Sequence, residues 1–281
     1  MKKLLKTISL LIIVTTIFLS YLIYQEQDKN LQVIFFDVGQ GDAALIKTPA
    51  GQKILIDGGP DNTVINKIGR YFSFADKTID LVILTHAHSD HLVGLVEVLK
   101  RYEVKKVLYN GPAHTTPEFF QFLEIIKANK IPLEIPLAGQ EYNFADGVKL
   151  KIIFPLADLT DEKLKDLNEG SLVCQLIYQK TNYLFMGDLP AEQEKLIINQ
   201  QNNLISQVIK IGHHGSKYST GLDLLKAVQP QLAVISVGKD NDFNHPAPVT
   251  INRLRNFGVE ILRTDEQGEI IIKSNGSHLI Y

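Results

Sequence analysis

The sequence contains a single cysteine, Cys174, among its 281 residues. An intramolecular disulfide is therefore excluded, and so is a structural zinc site built on a cluster of thiolates. The sequence also lacks an excess of charge of one sign, because 29 basic and 31 acidic residues give a formal net charge of −2. A dedicated duplex-DNA-binding protein normally has a strongly basic surface, so any contact with nucleic acid has to be local.

Residues 31–281 have no Pro/Ser-rich linker and no internal repeat, and we therefore predict one domain for them. Short apolar runs alternate with helical patterns, which indicates an α/β fold. Two sheets packed face to face with helices outside would use these elements, and so would a single wound sheet. The predicted helices cover residues 91–101, 117–129, 190–200, 219–228 and 248–257.

The first thirty residues differ from the rest of the chain. Lys2, Lys3 and Lys6 precede a charge-free run over residues 7–25. As a helix this run is long enough to cross the roughly 30 Å of a bilayer's hydrocarbon core. We predict a membrane anchor, and the alternative is a cleaved secretory signal. Because basic residues stay in the cytoplasm, residues 31–281 are expected on the extracytoplasmic side of the cell membrane, held by a single span.

Three histidines and an aspartate follow the apolar run Leu81–Leu84 within a few positions. They are His86, His88, Asp90 and His91. In a turn that leaves a strand, His86 and His88 can converge on one cation while Asp90 and His91 reach a second. Imidazole and carboxylate ligands suit zinc and also accept manganese or iron. We therefore predict a site for two divalent metal ions, with zinc as the first choice and manganese as the alternative.

Two further strand ends carry side chains that bind metals. Asp188 follows an apolar strand and can bridge two ions about 3.5–4 Å apart, although an aspartate there also suits a helix N-cap. His213 and His214 follow another strand. We assign His213 to the metal and His214 to catalysis, and the spacing leaves the reverse assignment open.

The segment Asn241–Pro246 contains His245, which suits either a surface turn or a catalytic role. In the mechanism that these residues suggest, Asp90 holds the attacking water in line. One of His213, His214 and His245 then stabilises the developing charge or protonates the leaving oxygen. Lys210, Lys217 and Lys239 are either ordinary surface charges or a local attraction for a phosphodiester.

Taken in order, these motifs resemble a known family. The histidine cluster, Gly187-Asp188 and the terminal histidines match the metallo-β-lactamase fold. The resemblance to the hydrolase domain of ComEC-like DNA-uptake proteins is carried by Phe35–Ala43, Leu55–Gly59, Gly212–Ser216 and Asn244–Pro246. It covers residues 31–281 and implies a four-layer αββα sandwich with the metal site at one edge of the sheets.

The same resemblance implies a metal-dependent phosphodiesterase or nuclease associated with DNA uptake across a bacterial envelope. A channel needs many membrane spans, so a separate channel protein is a possible partner. Two other functions are compatible with the motifs. One is a lactone, thioester or β-lactam hydrolase on the same fold, and the other is a non-catalytic DNA-binding component of the envelope.

One feature departs from the wider family, because no histidine lies between His114 and His213. Asn168 and Ser171 occupy that interval, so the first metal is expected to have fewer nitrogen ligands and to accept manganese more readily.

Four other side chains are expected close to the ligands or the substrate. Asp42 and Asp57 either orient imidazoles or shape turns, and the substrate side holds Ser216 and Lys217.

Overall fold

The structure is a computed structural model that describes residues 6–16, 18, 29–72, 76–160, 162–200 and 203–281. Residues 6–16 are helical and form α1. Among the described residues, no helix combines the length and the apolar character needed to cross a membrane. The predicted apolar run also includes residue 17 and residues 19–25, which lie outside the described residues. The membrane anchor therefore stays a prediction.

Two large sheets form the centre of the described structure. The first has the strand order β17 (Leu279–Ile280), β16 (Ile270–Ser274), β1 (Leu31–Phe35), β2 (Ala44–Lys47), β3 (Lys53–Ile56), β5 (Leu81–Leu84), β7 (Val107–Tyr109) and β8 (Leu133–Glu134). The second has the order β15 (Glu260–Arg263), β14 (Leu232–Ile235), β13 (Val208–Lys210), β12 (Thr181–Phe185), β11 (Val173–Tyr178), β10 (Val148–Phe154) and β9 (Glu141–Asn143). A short parallel pair joins β4 (Thr78–Ile79) and β6 (Glu103–Val104).

Helices cover the outer face of each sheet. The first sheet packs against α2 (Thr63–Ile68), α3 (Ser89–Arg101) and α4 (Pro117–Ala128). The second packs against α5 (Ala191–Asn199), α6 (Leu222–Val228) and α7 (Pro248–Asn256), and α8 (Thr264–Gln267) follows β15. Short 3₁₀ turns cover Gly69–Tyr71, Ala145–Gly147, Leu167–Gly170 and Gly212–Gly215.

Strand residues alternate between two kinds of core, as the two-residue period of a strand requires. Leu81 and Ile83 of β5 point between the two sheets, whereas Val82 and Leu84 contact the helices of the first outer layer. Phe35 of the first sheet stacks on Phe185 of the second, with ring centroids 5.9 Å apart. The layers are therefore helix, sheet, sheet and helix, and the predicted four-layer αββα sandwich is confirmed.

The predicted elements differ from the observed ones at two informative places. The apolar run from Val104 to Tyr109 forms two strands, because Lys105 and Lys106 between them pair with Asp80 and Glu134. The helix predicted from residue 219 begins at Leu222. Thr220 does not join that helix because its hydroxyl accepts a hydrogen bond from the Gly212 backbone N–H, 3.1 Å away.

Candidate metal centre

Four strands end at the edge of the sandwich where the candidate residues gather. In the first sheet, Asp57 follows β3 directly, and His86 follows β5. In the second sheet, Asp188 follows β12, and the turn with His213 and His214 follows β13. The strands are parallel within each pair, and side chains beyond the carboxyl ends of parallel strands collect at one edge of a sheet.

Asp188 lies at the centre of this group. Its Oδ2 is 3.5 Å from His91 Nε2 and 3.6 Å from His214 Nε2. It is also 3.9 Å from the Nε2 atoms of both His86 and His213. One carboxylate oxygen thus faces four imidazole nitrogens, all supplied by the motifs that the sequence singled out.

The backbone before Asp188 has little room. Gly187 has a φ of 51°, and a Cβ there would lie 3.1 Å from the Cβ of Ser171 and 3.2 Å from that of Thr85. Ser171 Oγ accepts a hydrogen bond from the Asp188 backbone N–H, 3.2 Å away. Glycine is therefore required at position 187, and Ser171 fixes the turn that presents the carboxylate.

Two buried atoms of the group have no hydrogen-bond partner among the described residues, namely Asp188 Oδ1 and His91 Nε2. Both side chains are at most 2% exposed. Leaving a buried carboxylate oxygen and a ring nitrogen unpaired is costly, and such atoms in native proteins normally have a partner. Divalent cations would supply that partner, so the residues present fit the predicted metal ions.

One ligand set is compact. Asp90, His91, Asp188 and His214 each offer one ligand atom, and these four atoms all lie within 4.8 Å of one another. His214 Nε2 is 3.1 Å from Asp90 Oδ2. The group thus contains His214 and leaves His213 outside it, and the geometry favours the reverse of the assignment made from the sequence. The role of His213 as a ligand stays a prediction.

The other pair of histidines lies beside this set. His86 Nε2 is 3.1 Å from His88 Nδ1, and His88 Nε2 is 3.7 Å from Asp166. Asn168 follows Asp166 by two residues in the sequence, and its side chain is buried. Its Oδ1 has no hydrogen-bond partner in the described part of the chain. Two imidazoles and Asp188 would give a first metal site fewer nitrogen ligands than three histidines would, and this expectation stays a prediction.

Asp57 orients His91. Its Oδ2 accepts a hydrogen bond from His91 Nδ1 at 2.8 Å, which leaves His91 Nε2 to face Asp188. Thr85 fixes Asp57 in turn, because its backbone N–H and its hydroxyl each donate to the carboxylate at 2.8 Å. Sequence reasoning missed Thr85, although its place directly before His86 was a usable signal.

A second support holds His214. Its Nδ1 donates to the carbonyl of Ser236 at 2.9 Å and lies 3.3 Å from Asp42 Oδ1. Asp42 Oδ2 is 2.8 Å from the Nζ of Lys210, a side chain only 5% exposed. Lys210 is therefore neither a surface charge nor an attraction for substrate, and both of those expectations are wrong. It neutralises the carboxylate that contacts His214.

The carboxylates and the imidazoles shift each other's pKa values. Burial lowers the pKa of His91, but Asp188, Asp57 and Asp90 outweigh burial and hold that pKa well above its ordinary value. Burial also opposes protonation of His214, and Asp188 and Asp42 raise its pKa to about 10. Protons and metal ions compete for the same nitrogens at such a site.

The open side of the centre is formed by His88, His213 and His245. The ring of His245 lies 5.5 Å from that of His213, centroid to centroid, in an edge arrangement. Burial, His213 and His214 together lower the pKa of His245 to about 4. Of the two predicted substrate-side residues, Lys217 is exposed, whereas Ser216 is buried and its hydroxyl accepts a hydrogen bond from the Tyr218 backbone N–H.

The family of the chain follows from its sequence. The sequence model of the metallo-beta-lactamase superfamily matches residues 36–239. The chain belongs to the metallo-beta-lactamase superfamily. The family and the metal-capable site make it a metallo-hydrolase of that fold.

Relatives within the superfamily are competence proteins. The chain is 29% identical over 273 residues to ComE operon protein 3 of Bacillus subtilis (strain 168), a match that covers 91% of this chain and 34% of that protein. It is 30% identical to Competence protein ComA of Neisseria gonorrhoeae, covering 90% of this chain and 34% of the relative. The predicted resemblance to ComEC-like proteins is confirmed, and the chain spans about a third of the length of these relatives.

Solved structures share the fold. Igni18, a novel metallo hydrolase from Ignicoccus hospitalis, superposes with a TM-score of 0.57 at 16% identity and covers 85% of this chain and 98% of that one. CmlA, a diiron beta-hydroxylase from Streptomyces venezuelae, gives a TM-score of 0.55 at 15% identity, covering 86% of this chain and 54% of that one. Because proteins described in such different terms share this fold, it does not determine the metal.

Proposed function

We propose that this metallo-beta-lactamase superfamily member is a phosphodiesterase that cleaves nucleic acid or a nucleotide-like ester. The observation that carries the proposal is the convergence of four imidazole nitrogens on one oxygen of Asp188, within 4 Å. Two-metal sites of this kind catalyse the in-line displacement by which phosphodiesters are hydrolysed. The similarity to competence proteins supports a nucleic-acid substrate over a β-lactam, lactone or thioester.

The ligands divide between two ions. His86 and His88 would hold the first, and Asp90, His91 and His214 the second, with Asp188 shared between them. When bound, the two divalent ions supply a nucleophile at neutral pH and neutralise charge on a phosphoryl oxygen. Zinc and manganese both suit this set of nitrogen and oxygen atoms, and zinc is our first choice.

The protein's own side chains position the substrate. Asp90 is 28% exposed, so its carboxylate can accept a hydrogen bond from the attacking water. His213 is 31% exposed on the open side and can donate to a phosphoryl oxygen. His245 stands against His213, and its Nδ1 has no hydrogen-bond partner among the residues described. The partly exposed ring of His245 is the candidate to donate to the leaving oxygen.

A substrate panel tests the proposal. The purified full chain is loaded with zinc or with manganese and assayed on a labelled single-stranded oligonucleotide, a duplex, a small phosphodiester and nitrocefin. We expect cleavage of the phosphodiesters, no opening of nitrocefin, and loss of activity with a chelator that returns when metal is added. Rapid nitrocefin hydrolysis with intact oligonucleotides would show a β-lactamase instead. If neither class is cleaved and the oligonucleotide still binds, the protein is a non-catalytic DNA-binding component.

We also propose that the hydrolase domain lies outside the cytoplasmic membrane, beside a separate DNA-uptake channel. The support is the basic start and the apolar run over residues 7–25. A reporter enzyme that is active only after export, fused after residue 281, tests the location. We expect an active, membrane-bound fusion. Activity in the soluble extracellular fraction would show a cleaved signal, and an inactive fusion would place the domain in the cytoplasm.

A further inference from the structure

We infer that Phe243 is a stacking surface for an unpaired base of the substrate, next to the scissile phosphate. This inference rests on the proposed phosphodiesterase function and adds a substrate class, namely nucleic acid with an unstacked base. Phe243 is 65% exposed, which is unusual for a large aromatic side chain. Its ring is nearly parallel to that of His245, with an interplanar angle of 24° and centroids 6.0 Å apart.

The rings form a continuous path from the metal centre to solvent. His213 Nε2 lies 3.9 Å from Asp188 Oδ2, and the His213 ring meets the His245 ring 5.5 Å away. Phe243 is the next ring, stacked on His245. A phosphate at the metals would therefore place a neighbouring base within reach of the exposed face of Phe243.

The loop that carries Phe243 is held in one conformation. Asn241 Oδ1 accepts hydrogen bonds from the backbone N–H groups of Phe243 at 3.2 Å and of His245 at 3.0 Å. The amide of Asn241 donates to the carbonyls of Gly238 and His245. A ring on a fixed loop loses little conformational entropy when it binds a planar partner, so it is suited to recognition.

Charge on the same loop selects the base over other occupants. Lys239, Asp240 and Asp242 all precede Phe243 on this loop and are exposed. With two carboxylates against one ammonium group the loop has no excess of positive charge, so it offers no binding site for an isolated phosphate or an anionic membrane, whereas the face of a nucleobase carries no net charge. A base in a duplex has both faces stacked and is unavailable, so the platform favours single strands, frayed ends or flipped bases.

The test compares three variants of the full, metal-loaded chain. Phe243→Ala removes the ring, Phe243→Tyr keeps it, and Phe120→Ala removes a ring on α4 that is 54% exposed and has its ring contact with Phe119. Each variant is assayed on a single-stranded oligonucleotide and on methyl 4-nitrophenyl phosphate. Because a base stacks favourably on an aromatic side chain, KM for the oligonucleotide should rise about tenfold in Phe243→Ala, which corresponds to about 1.4 kcal/mol, with kcat little changed.

The same substitution should leave hydrolysis of the small diester and the melting temperature unchanged, and Phe243→Tyr and Phe120→Ala should behave like the wild type. A single abasic residue beside the scissile phosphate should raise KM for the wild type and have no further effect in Phe243→Ala. Unchanged KM in Phe243→Ala, or an equal loss on both substrates, would overturn the inference while leaving the phosphodiesterase intact. If the wild type cleaves neither substrate, the proposed function fails and the inference fails with it.

Discussion

The two sides of Asp188 differ in how firmly their side chains are held. On the buried side, each imidazole has a second partner on its far nitrogen, which is Thr85 for His86, Asp57 for His91 and the carbonyl of Ser236 for His214. On the open side, His213 and His245 face each other edge to ring. The buried side is therefore suited to fixing metal ligands, and the open side is suited to receiving a substrate.

The largest effect is expected from removing the Asp188 carboxylate, which lies between the two sides. Asp188→Ala removes the oxygen that faces four imidazoles, so both proposed metal ions would lose a ligand. We expect turnover to fall by more than about 100-fold and bound metal, measured by elemental analysis, to drop. Asp223→Ala, which changes an exposed aspartate on α6, is the matched control. Full metal content and turnover in Asp188→Ala would contradict the central position of this residue.

The next effect weakens the buried side alone. Lys210→Met leaves the Asp42 carboxylate buried without the ammonium group now 2.8 Å away. Breaking a buried pair by removing one partner costs about 3–5 kcal/mol. Urea denaturation should therefore show a lower free energy of unfolding. The double variant Lys210→Met with Asp42→Asn should recover part of that loss, and equal stability of both variants would show that the pair is not coupled.

A smaller effect is expected from changing the side chain that orients His91. Asp57→Asn replaces an acceptor by an amide, so His91 Nδ1 and Thr85 compete for one remaining oxygen. Losing such a partner typically costs about 10- to 100-fold in metal affinity or activity. Metal titration should show this, with Asp158→Asn, on a surface loop, as the control. Unchanged affinity would mean that Asp57 only shapes its turn.

The smallest effect probes the open side. Lys217 is exposed and lies over the ring of Tyr218, 4.9 Å from its centroid. If its charge attracts a phosphodiester, Lys217→Ala should lower kcat/KM a few-fold at low salt. The difference should vanish near 1 M salt, where the Debye length is about 3 Å. A difference that persists at high salt would indicate direct contact instead of attraction at a distance.

The positions of the candidate metal ligands could be predicted from the sequence because these residues lie just beyond strand ends or in the first turn of the helix that follows. An apolar run followed closely by His86, Asp188 or His213 indicates a polar side chain just beyond the end of a strand. Parallel strands then bring such ends to one edge, and this follows from general rules of α/β folds. The fold and the group of candidate residues were therefore accessible without coordinates.

The choice between His213 and His214 was not accessible. Both residues have positive φ values, 49° and 51°, so the backbone turns sharply between two adjacent side chains. Spacing along the chain cannot tell which ring such a turn sends inward. In the structure His214 is buried against Asp42, whereas His213 faces the open side.

Long-range pairing was the other missing information. Lys210 looks like a surface charge beside a histidine motif, and only its burial against Asp42 shows its role. Phe243 is the opposite case. An aromatic residue usually indicates a buried core position, whereas the ring of Phe243 is exposed. Both cases depend on which distant segments meet, which no local pattern encodes.

The most direct test of the two-ion centre is a crystal of the full chain grown with zinc or manganese and measured at the absorption edge of the metal. We predict two anomalous peaks about 3.5–4 Å apart, both within bonding distance of Asp188, with the second also bound by His214 Nε2. A structure with ample metal in the crystal and no peak at Asp188 would contradict the account.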